Sequence, residues 1–352
     1  MDSLSHREVP ANPVLTEAID ALASGVDLAS EQAATVLAEI MAGNASEVQT
    51  AAVLIALRTK GETVAELAGL AQTMRAFATP VLSARGDLVD TAGTGGGRSS
   101  FNVSTTAALI AAGAGCAVAK HGNRSATSRS GSADVLEALG VRIDLEPAAI
   151  ADCIDRVGFG FMFAPEHHQA TRFVVPVRKA LGVRTVFNFL GPLTNPAGAR
   201  RQLIGVSDRR FLLTMAGALA RLGAEKAIVC ASEDGLDELS VSGVSHVIEV
   251  DHGTLREYDL EPEDVGLARA PADTVRGGSP ADNAEIARRI FAGEPGPPRD
   301  LAVLNAGAAI YVAGRADDLA AGVRAAEDAI DAGQVAATLD RLVTVSREAV
   351  AA

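Results

Sequence analysis

Leu88-Val89-Asp90-Thr91-Ala92-Gly93-Thr94-Gly95-Gly96-Gly97 is the stretch that decides the fold of this chain. A short apolar run enters a glycine-rich turn, and Ser104–Ala114 behind it has the pattern of a buried helix. Gly115–Ala119 then reads as a second buried strand, ending at Lys120. Strand, turn, helix and strand in that order form the unit from which parallel sheets are built.

Downstream the alternation continues. Helices are expected at Asp134–Leu139, Phe211–Leu222, Asn283–Phe291, Asp300–Gly314 and Asp317–Ala332. Strands are expected at Val141-Arg142-Ile143-Asp144, Lys226–Cys230 and His246–Val250. Pro295-Gly296-Pro297-Pro298 reads as a rigid surface turn. Upstream the pattern is helical, with apolar residues at helical spacing in Pro13–Leu22, Ser30–Met41, Ser46–Thr59 and Thr63–Phe77. Ser30, Ser46 and Thr63 are N-cap candidates, and Gly43 and Gly61 follow two helix ends. The fold class is therefore α/β, a small all-helical domain plus a larger α/β domain with a mainly parallel central sheet. The expected boundaries are 1–85 for the helical domain and 86–164 with 191–352 for the large one. The polar, Arg-rich segment at about 165–190 is expected to return to the helical domain.

Composition narrows the function. A chain of 352 residues with 48% hydrophobic and 21% charged residues is neither disordered nor membrane-spanning by pattern. Met1–Glu8 has no apolar core of a secretory signal, and the apolar run Ala107–Ala119 is too short for a bilayer, so a cytoplasmic location is expected. Cys116, Cys153 and Cys230 are far apart among apolar residues, as reduced buried thiols would be. A formal net charge of −13 opposes non-specific contact with nucleic acid or an anionic membrane. An anionic substrate would need a local basic pocket.

Three polar segments supply such chemistry. The glycines of Gly93–Gly97 allow close main-chain approach, so that a strand before and a helix after would aim N–H groups at an anion. The dinucleotide fingerprint fits poorly, since Arg98 stands at its last glycine, and no Gly-Lys-Ser/Thr follows to make a Walker A loop. Asn102 and Ser104 are equally N-cap candidates or phosphate and metal donors. Lys120-His121-Gly122-Asn123-Arg124-Ser125-Ala126-Thr127-Ser128-Arg129-Ser130-Gly131-Ser132 follows a strand, where ligand loops of parallel sheets lie; a solvated loop is the alternative. Asp234-Gly235-Leu236-Asp237-Glu238 offers carboxylates of the kind that hold Mg²⁺ together with substrate phosphates, or an ordinary acidic surface turn.

On these segments, on Pro176-Val177-Arg178-Lys179-Ala180-Leu181-Gly182 and on Arg184-Thr185-Val186-Phe187-Asn188-Phe189-Leu190-Gly191-Pro192-Leu193-Thr194-Asn195-Pro196, the chain resembles the anthranilate phosphoribosyltransferase family. That family falls in the nucleoside-phosphorylase-like phosphoribosyltransferase class, and the likeness runs from about residue 15 to 345. The resemblance implies transfer of a phosphoribosyl group from phosphoribosyl pyrophosphate to anthranilate in tryptophan biosynthesis. It implies that Gly93, Gly96, Gly97, Ser100, Asn102, Val103, Ser104, Thr105, Lys120, His121, Gly122, Asn123, Arg124, Ser125, Ala126, Thr127, Ser128 and Ser132 hold phosphoribosyl pyrophosphate. It implies Gly93, Asn123 and Arg178 at anthranilate, and Ser104, Asp237 and Glu238 at two Mg²⁺ ions. No acid or base is assigned. A homodimer through the helical domain is also implied, with Val53, Leu54 and Leu57 as its expected apolar positions.

The chain departs from the family's usual Gly-Thr-Gly-Gly-Asp-Gly loop, being one residue shorter and lacking the Asp. Ser100 stands where Thr is common, and His168-Gln169 replaces the usual His-Pro. A pyrimidine-nucleoside phosphorylase and a non-catalytic nucleic-acid-binding relative are the competing readings.

Overall fold

The computed structural model describes residues 10–125 and 129–348. The chain divides into two compact units, Met1–Ala78 with His168–Thr194, and Thr79–His167 with Asn195–Ala352.

The first unit is all-helical. Its helices span Pro13–Ala23, Ser30–Met41, Glu47–Lys60 and Val64–Ala76, joined by Val175–Leu181 and Phe187–Leu193. Side-chain caps define their starts. Ser46 Oγ accepts from the Gln49 N–H at 3.2 Å. At Thr63 the capping is reciprocal, with Thr63 Oγ1 accepting from the Glu66 N–H and Glu66 returning a carboxylate oxygen to the Thr63 N–H. Ser30 is not a cap; Ala29 precedes the helix and Ser30 is its first residue. Val53, Leu54 and Leu57 are each 1% exposed and pack inside this unit, so they are core and not a docking surface.

The second unit is built on a seven-stranded sheet. Its strands are β1 (Leu88–Gly93), β2 (Ala117–Gly122), β3 (Phe159–Phe163), β4 (Arg201–Gly205), β5 (Lys226–Ser232), β6 (Ser245–Asp251) and β7 (Thr254–Leu260), in the spatial order β3-β2-β1-β4-β5-β6-β7. The first five run parallel, β6 pairs antiparallel with β5, and β7 pairs antiparallel with β6. The central strands are buried on both faces, as continuous apolar runs require. Helices Val103–Gly113 and Pro297–Val312 supply much of the surrounding core. The three cysteines lie in this core as buried free thiols. No helix among the described residues is long and apolar enough to cross a membrane.

Two expected elements differ. Val141-Arg142-Ile143-Asp144 alternates between buried and exposed as a strand would, but it joins no sheet. Its Arg142 N–H donates instead to Ser346 Oγ on the last helix. Alternation reports one buried side and does not specify what covers it. Pro297 and Pro298 belong to a helix and not a turn: the helix starts at Pro297, where a missing N–H has no consequence.

Candidate active site

The three polar segments leave the sheet at the same edge. β1 ends in the glycine turn, β2 carries Lys120 and His121 to Gly122, and β5 ends at Ser232 before the acidic turn. From β1 the chain order proceeds through β2 and β3 on one side and β4 and β5 on the other. The crevice outside the carboxyl ends of strands at such a reversal is where open α/β sheets bind ligands.

Buried charge organises this edge. Lys120 is 1% exposed, and its ammonium donates to Thr91 O at 2.5 Å, Thr91 Oγ1 at 3.2 Å and Ser104 Oγ at 3.5 Å. Burial lowers its pKa, opposed by the carboxylates of Asp90 and Glu238. Asp90, fully buried, accepts from the His121 N–H and from Asn195 Nδ2. Desolvation pushes its carboxyl up to about 6, against the pull of Lys120 and these hydrogen bonds. Glu238 is half-buried by surface area, yet its carboxyl is closed in by protein and is raised to about 8 by desolvation and by neighbouring Asp237. Lys120 and the Ser104 N–H act in the opposite direction.

At Gly97 the glycine turn packs on the acidic turn with no room for a side chain, whereas Gly95 faces open space. A Cβ on Gly97 would stand 2.5 Å from Asp237 Oδ1 and 2.7 Å from Asp237 N. One on Gly205, at the end of β4, would stand 1.6 Å from the Asp237 carbonyl oxygen. The departure from the family's loop is therefore built into this contact: Gly97 has to be glycine here.

Other expected site residues hold the segments to one another. Asn102 Nδ2 donates to Ser130 O, while its Oδ1 accepts from Ser130 Oγ and from Asn283 Nδ2, both at 2.8 Å. Val103 is core, and Ser100 Oγ donates to Phe101 O. Asn123 Oδ1 accepts from the Arg124 N–H, and Ser132 opens the helix Ser132–Leu139. Arg124 pairs with Asp134 at 2.9 Å and Glu137 at 2.5 Å, and Asp134 also accepts from the Ser125 and Gly131 N–H groups. Ala126, Thr127 and Ser128 lie outside the described residues. Arg178 is carried by the helical unit on Val175–Leu181, its guanidinium 5.4 Å from the centre of the Phe187 ring. Asp234 is engaged with Arg98, Ser240 and the Leu236 N–H. Sequence reasoning did not single out Asp90, Asn195, Asn283 or Arg98 as site residues. The first two stand within quoted motifs, whereas nothing in the residues around Asn283 marks it.

The donor set suits Mg²⁺. Ser104 Oγ and the Asp237 and Glu238 carboxylates are hard oxygen donors, and the crowding that raises Glu238 is what a divalent cation relieves. Thr105 Oγ1 is buried without a hydrogen-bond partner among the described residues, in the first turn of the same helix. No cluster of three or more His, Cys, Asp or Glu able to hold a metal occurs among the described residues. Two carboxylates call for further oxygens from a bound phosphate.

The chain as a whole is similar to known proteins. Residues 85–336 match the family model "Glycosyl transferase family, a/b domain", and residues 16–78 match "Glycosyl transferase family, helical bundle domain". The chain is 52% identical to the anthranilate phosphoribosyltransferase of Rubrobacter xylanophilus over 95% of its own length and 98% of that protein. The crystal structure of the Thermus thermophilus enzyme of the same name is similar at a TM-score of 0.89 and 46% identity, covering 94% of this chain and 99% of that one. The Saccharomyces cerevisiae enzyme in complex with PRPP and Mg is similar at 0.87 and 25%, covering 96% and 99%.

Asp90 provides a pH test. Its folded carboxyl titrates near 6 against an ordinary 3.8, so its contribution to stability is complete below about pH 4 and is lost as pH rises through 6. Asp90→Asn exchanges one acceptor oxygen for an amide, a penalty independent of pH. Urea unfolding should show the deficit of the variant shrinking by on the order of 3 kcal/mol between pH 4 and pH 7. A constant deficit would mean that burial does not govern this carboxylate.

Proposed function

The chain belongs to the anthranilate phosphoribosyltransferase family, and on that premise we propose how it works. It transfers the phosphoribosyl group of phosphoribosyl pyrophosphate to the amine of anthranilate, giving N-(5-phosphoribosyl)anthranilate and pyrophosphate, the second step from chorismate in tryptophan biosynthesis. The observation that carries the reading is the packing of the glycine turn against Asp237 beside buried Lys120.

The bond from ribose C1 to the pyrophosphate oxygen breaks as the bond from C1 to the anthranilate nitrogen forms, and the amine then loses a proton. Cationic character develops at C1 and negative charge on the leaving group. The glycine turn after β1 and the first turn of the helix Val103–Gly113 would meet that charge, although the Thr94 N–H is already taken by Gly205 O and the Val103 N–H by Phe101 O. Gly96, with a φ of 84°, holds the turn in the left-handed region that favours glycine. Bound magnesium, held by Ser104, Asp237, Glu238 and substrate oxygens, would neutralise pyrophosphate charge. The yeast relative solved with PRPP and Mg supports that metal; two ions are our proposal. The arylamine is neutral near pH 7, so positioning is most of the protein's task and no general base is assigned. Arg178 offers the anthranilate carboxylate a planar two-point fork.

The parent protein with anthranilate, phosphoribosyl pyrophosphate and Mg²⁺ should consume anthranilate fluorescence. Replacing Asp237 and Glu238 together by Ala should abolish that rate while leaving the circular dichroism spectrum unchanged. Near-normal turnover in the double variant would make the pair a solvated turn.

Arg178→Ala should raise KM for anthranilate about tenfold to a hundredfold, the worth of a charge-assisted hydrogen bond, with a much smaller effect on phosphoribosyl pyrophosphate. Arg178→Lys should recover only part of the loss. Equal effects on both substrates remove Arg178 from the acceptor site.

We also propose a homodimer through the helical unit. Its support is the resemblance alone, since Val53, Leu54 and Leu57 are interior. Sedimentation at micromolar concentration should give twice the 36.0 kDa chain mass; a monomer alone refutes it.

A further inference from the structure

Arg98 follows the glycine turn directly, and its polar atoms reach the acidic turn. The Arg98 N–H donates to Gly235 O at 2.6 Å. From the guanidinium, Nε donates to Asp234 O at 3.2 Å, Nη2 to Asp234 Oδ2 at 2.8 Å, and Nη1 to Ala272 O at 2.7 Å. The ion pair is largely enclosed, with side chains 25% and 12% exposed, so solvent screens it less than a surface pair.

Asp234 passes this constraint along the turn. Its Oδ1 accepts from the Leu236 N–H at 3.1 Å and its Oδ2 from Ser240 Oγ at 2.8 Å. Asp237 and Glu238 lie between those two anchor points in sequence. On the other side Arg98 is preceded by Gly97, whose α-carbon lies against Asp237. Its tie to Ala272 and the contact of Gly277 with the Ser100 carbonyl oxygen hold the rest of the loop in place.

We propose that Arg98 is a positioning residue which locks the shortened glycine turn to the turn bearing Asp237 and Glu238, so that one pyrophosphate–metal group meets both at once. This rests on the phosphoribosyltransferase reading above. The fork of Arg98 is directed at carbonyl oxygens and at Asp234, which makes it a brace and not a phosphate ligand. Sequence alone marks Arg98 as the residue that spoils a dinucleotide fingerprint; the fold gives it this other task. Lys in its place would keep the charge but not the three-way planar fork.

The test compares the parent, Arg98→Ala, Arg98→Lys, Asp234→Asn and the double variant Arg98→Ala with Asp234→Asn. Phosphoribosyl pyrophosphate is titrated calorimetrically into each full-length chain at fixed Mg²⁺ without anthranilate, and steady-state rates are measured alongside. Arg98→Ala and Asp234→Asn should each weaken this binding about tenfold and raise the Mg²⁺ needed for half-maximal rate, with KM for anthranilate within about twofold of the parent. The double variant should be no weaker than the worse single one, because both remove the same brace. Arg98→Lys should fall between. If Arg98→Ala fails to fold by circular dichroism, Arg98→Lys and Asp234→Asn carry the comparison. Binding within about twofold of the parent in the folded variants overturns the proposal, as do losses that multiply in the double variant, the mark of a direct phosphate contact. A parent that binds no phosphoribosyl pyrophosphate overturns the functional reading itself.

Discussion

An ammonium group sealed behind the end of a parallel sheet is the constraint around which this unit is arranged. Lys120 is almost wholly buried, and its hydrogen bonds go to neutral oxygens of Thr91 and Ser104. Burying a charge without compensation carries a penalty of several kcal/mol. Asp90 and Glu238 provide the compensation, and each must then be satisfied in turn. For Asp90 that requirement falls on Asn195 and the His121 N–H, which tie β1, β2 and the segment after Thr194 into one place. For Glu238 it falls on the helix start at Ser104. The positions of three loops thus follow from balancing one buried cation.

Close packing sets those positions to within a methyl group. Gly97 and Gly205 abut Asp237 from two directions, at distances no Cβ tolerates. Interiors are packed near crystal density, so such contacts cannot relax by small shifts of the neighbours. The acidic turn is therefore seated on the ends of β1 and β4. A flexible glycine loop would lose this register; these glycines serve approach more than motion.

Charge is distributed unevenly in a way that fits an anionic substrate. The chain carries −13 overall, yet its basic groups near the strand ends are individually matched, Arg98 with Asp234 and Arg124 with Asp134 and Glu137. Lys120 stands against Asp90 and Glu238, and Glu238 is in turn crowded by Asp237, a surplus of acidic groups over basic ones. Under the proposed function, a divalent cation arriving with phosphate would offset that surplus.

The amino-acid sequence by itself determined the local grammar. Helix caps at Ser46 and Thr63, the alternation from Leu88 onward and the three polar segments were all legible, because hydrophobic period and capping chemistry act over a few residues. The strands β3, β4 and β7 and the helices Pro147–Val157 and Gln334–Glu348 were not. β3 is short and interrupted by Gly160, and β4 begins with Arg201 and buried Gln202. Val141–Asp144 shows the limit from the other side, a true alternation with no strand beside it. Only the tertiary structure decided what meets what. Arg98 with Asp234, Asn283 with Asn102 and Gly205 with Asp237 join residues 136, 181 and 32 positions apart, and no local pattern encodes a partner at that range. The chemistry was written in residue types, and its assembly depended on long-range packing that a single sequence does not spell out.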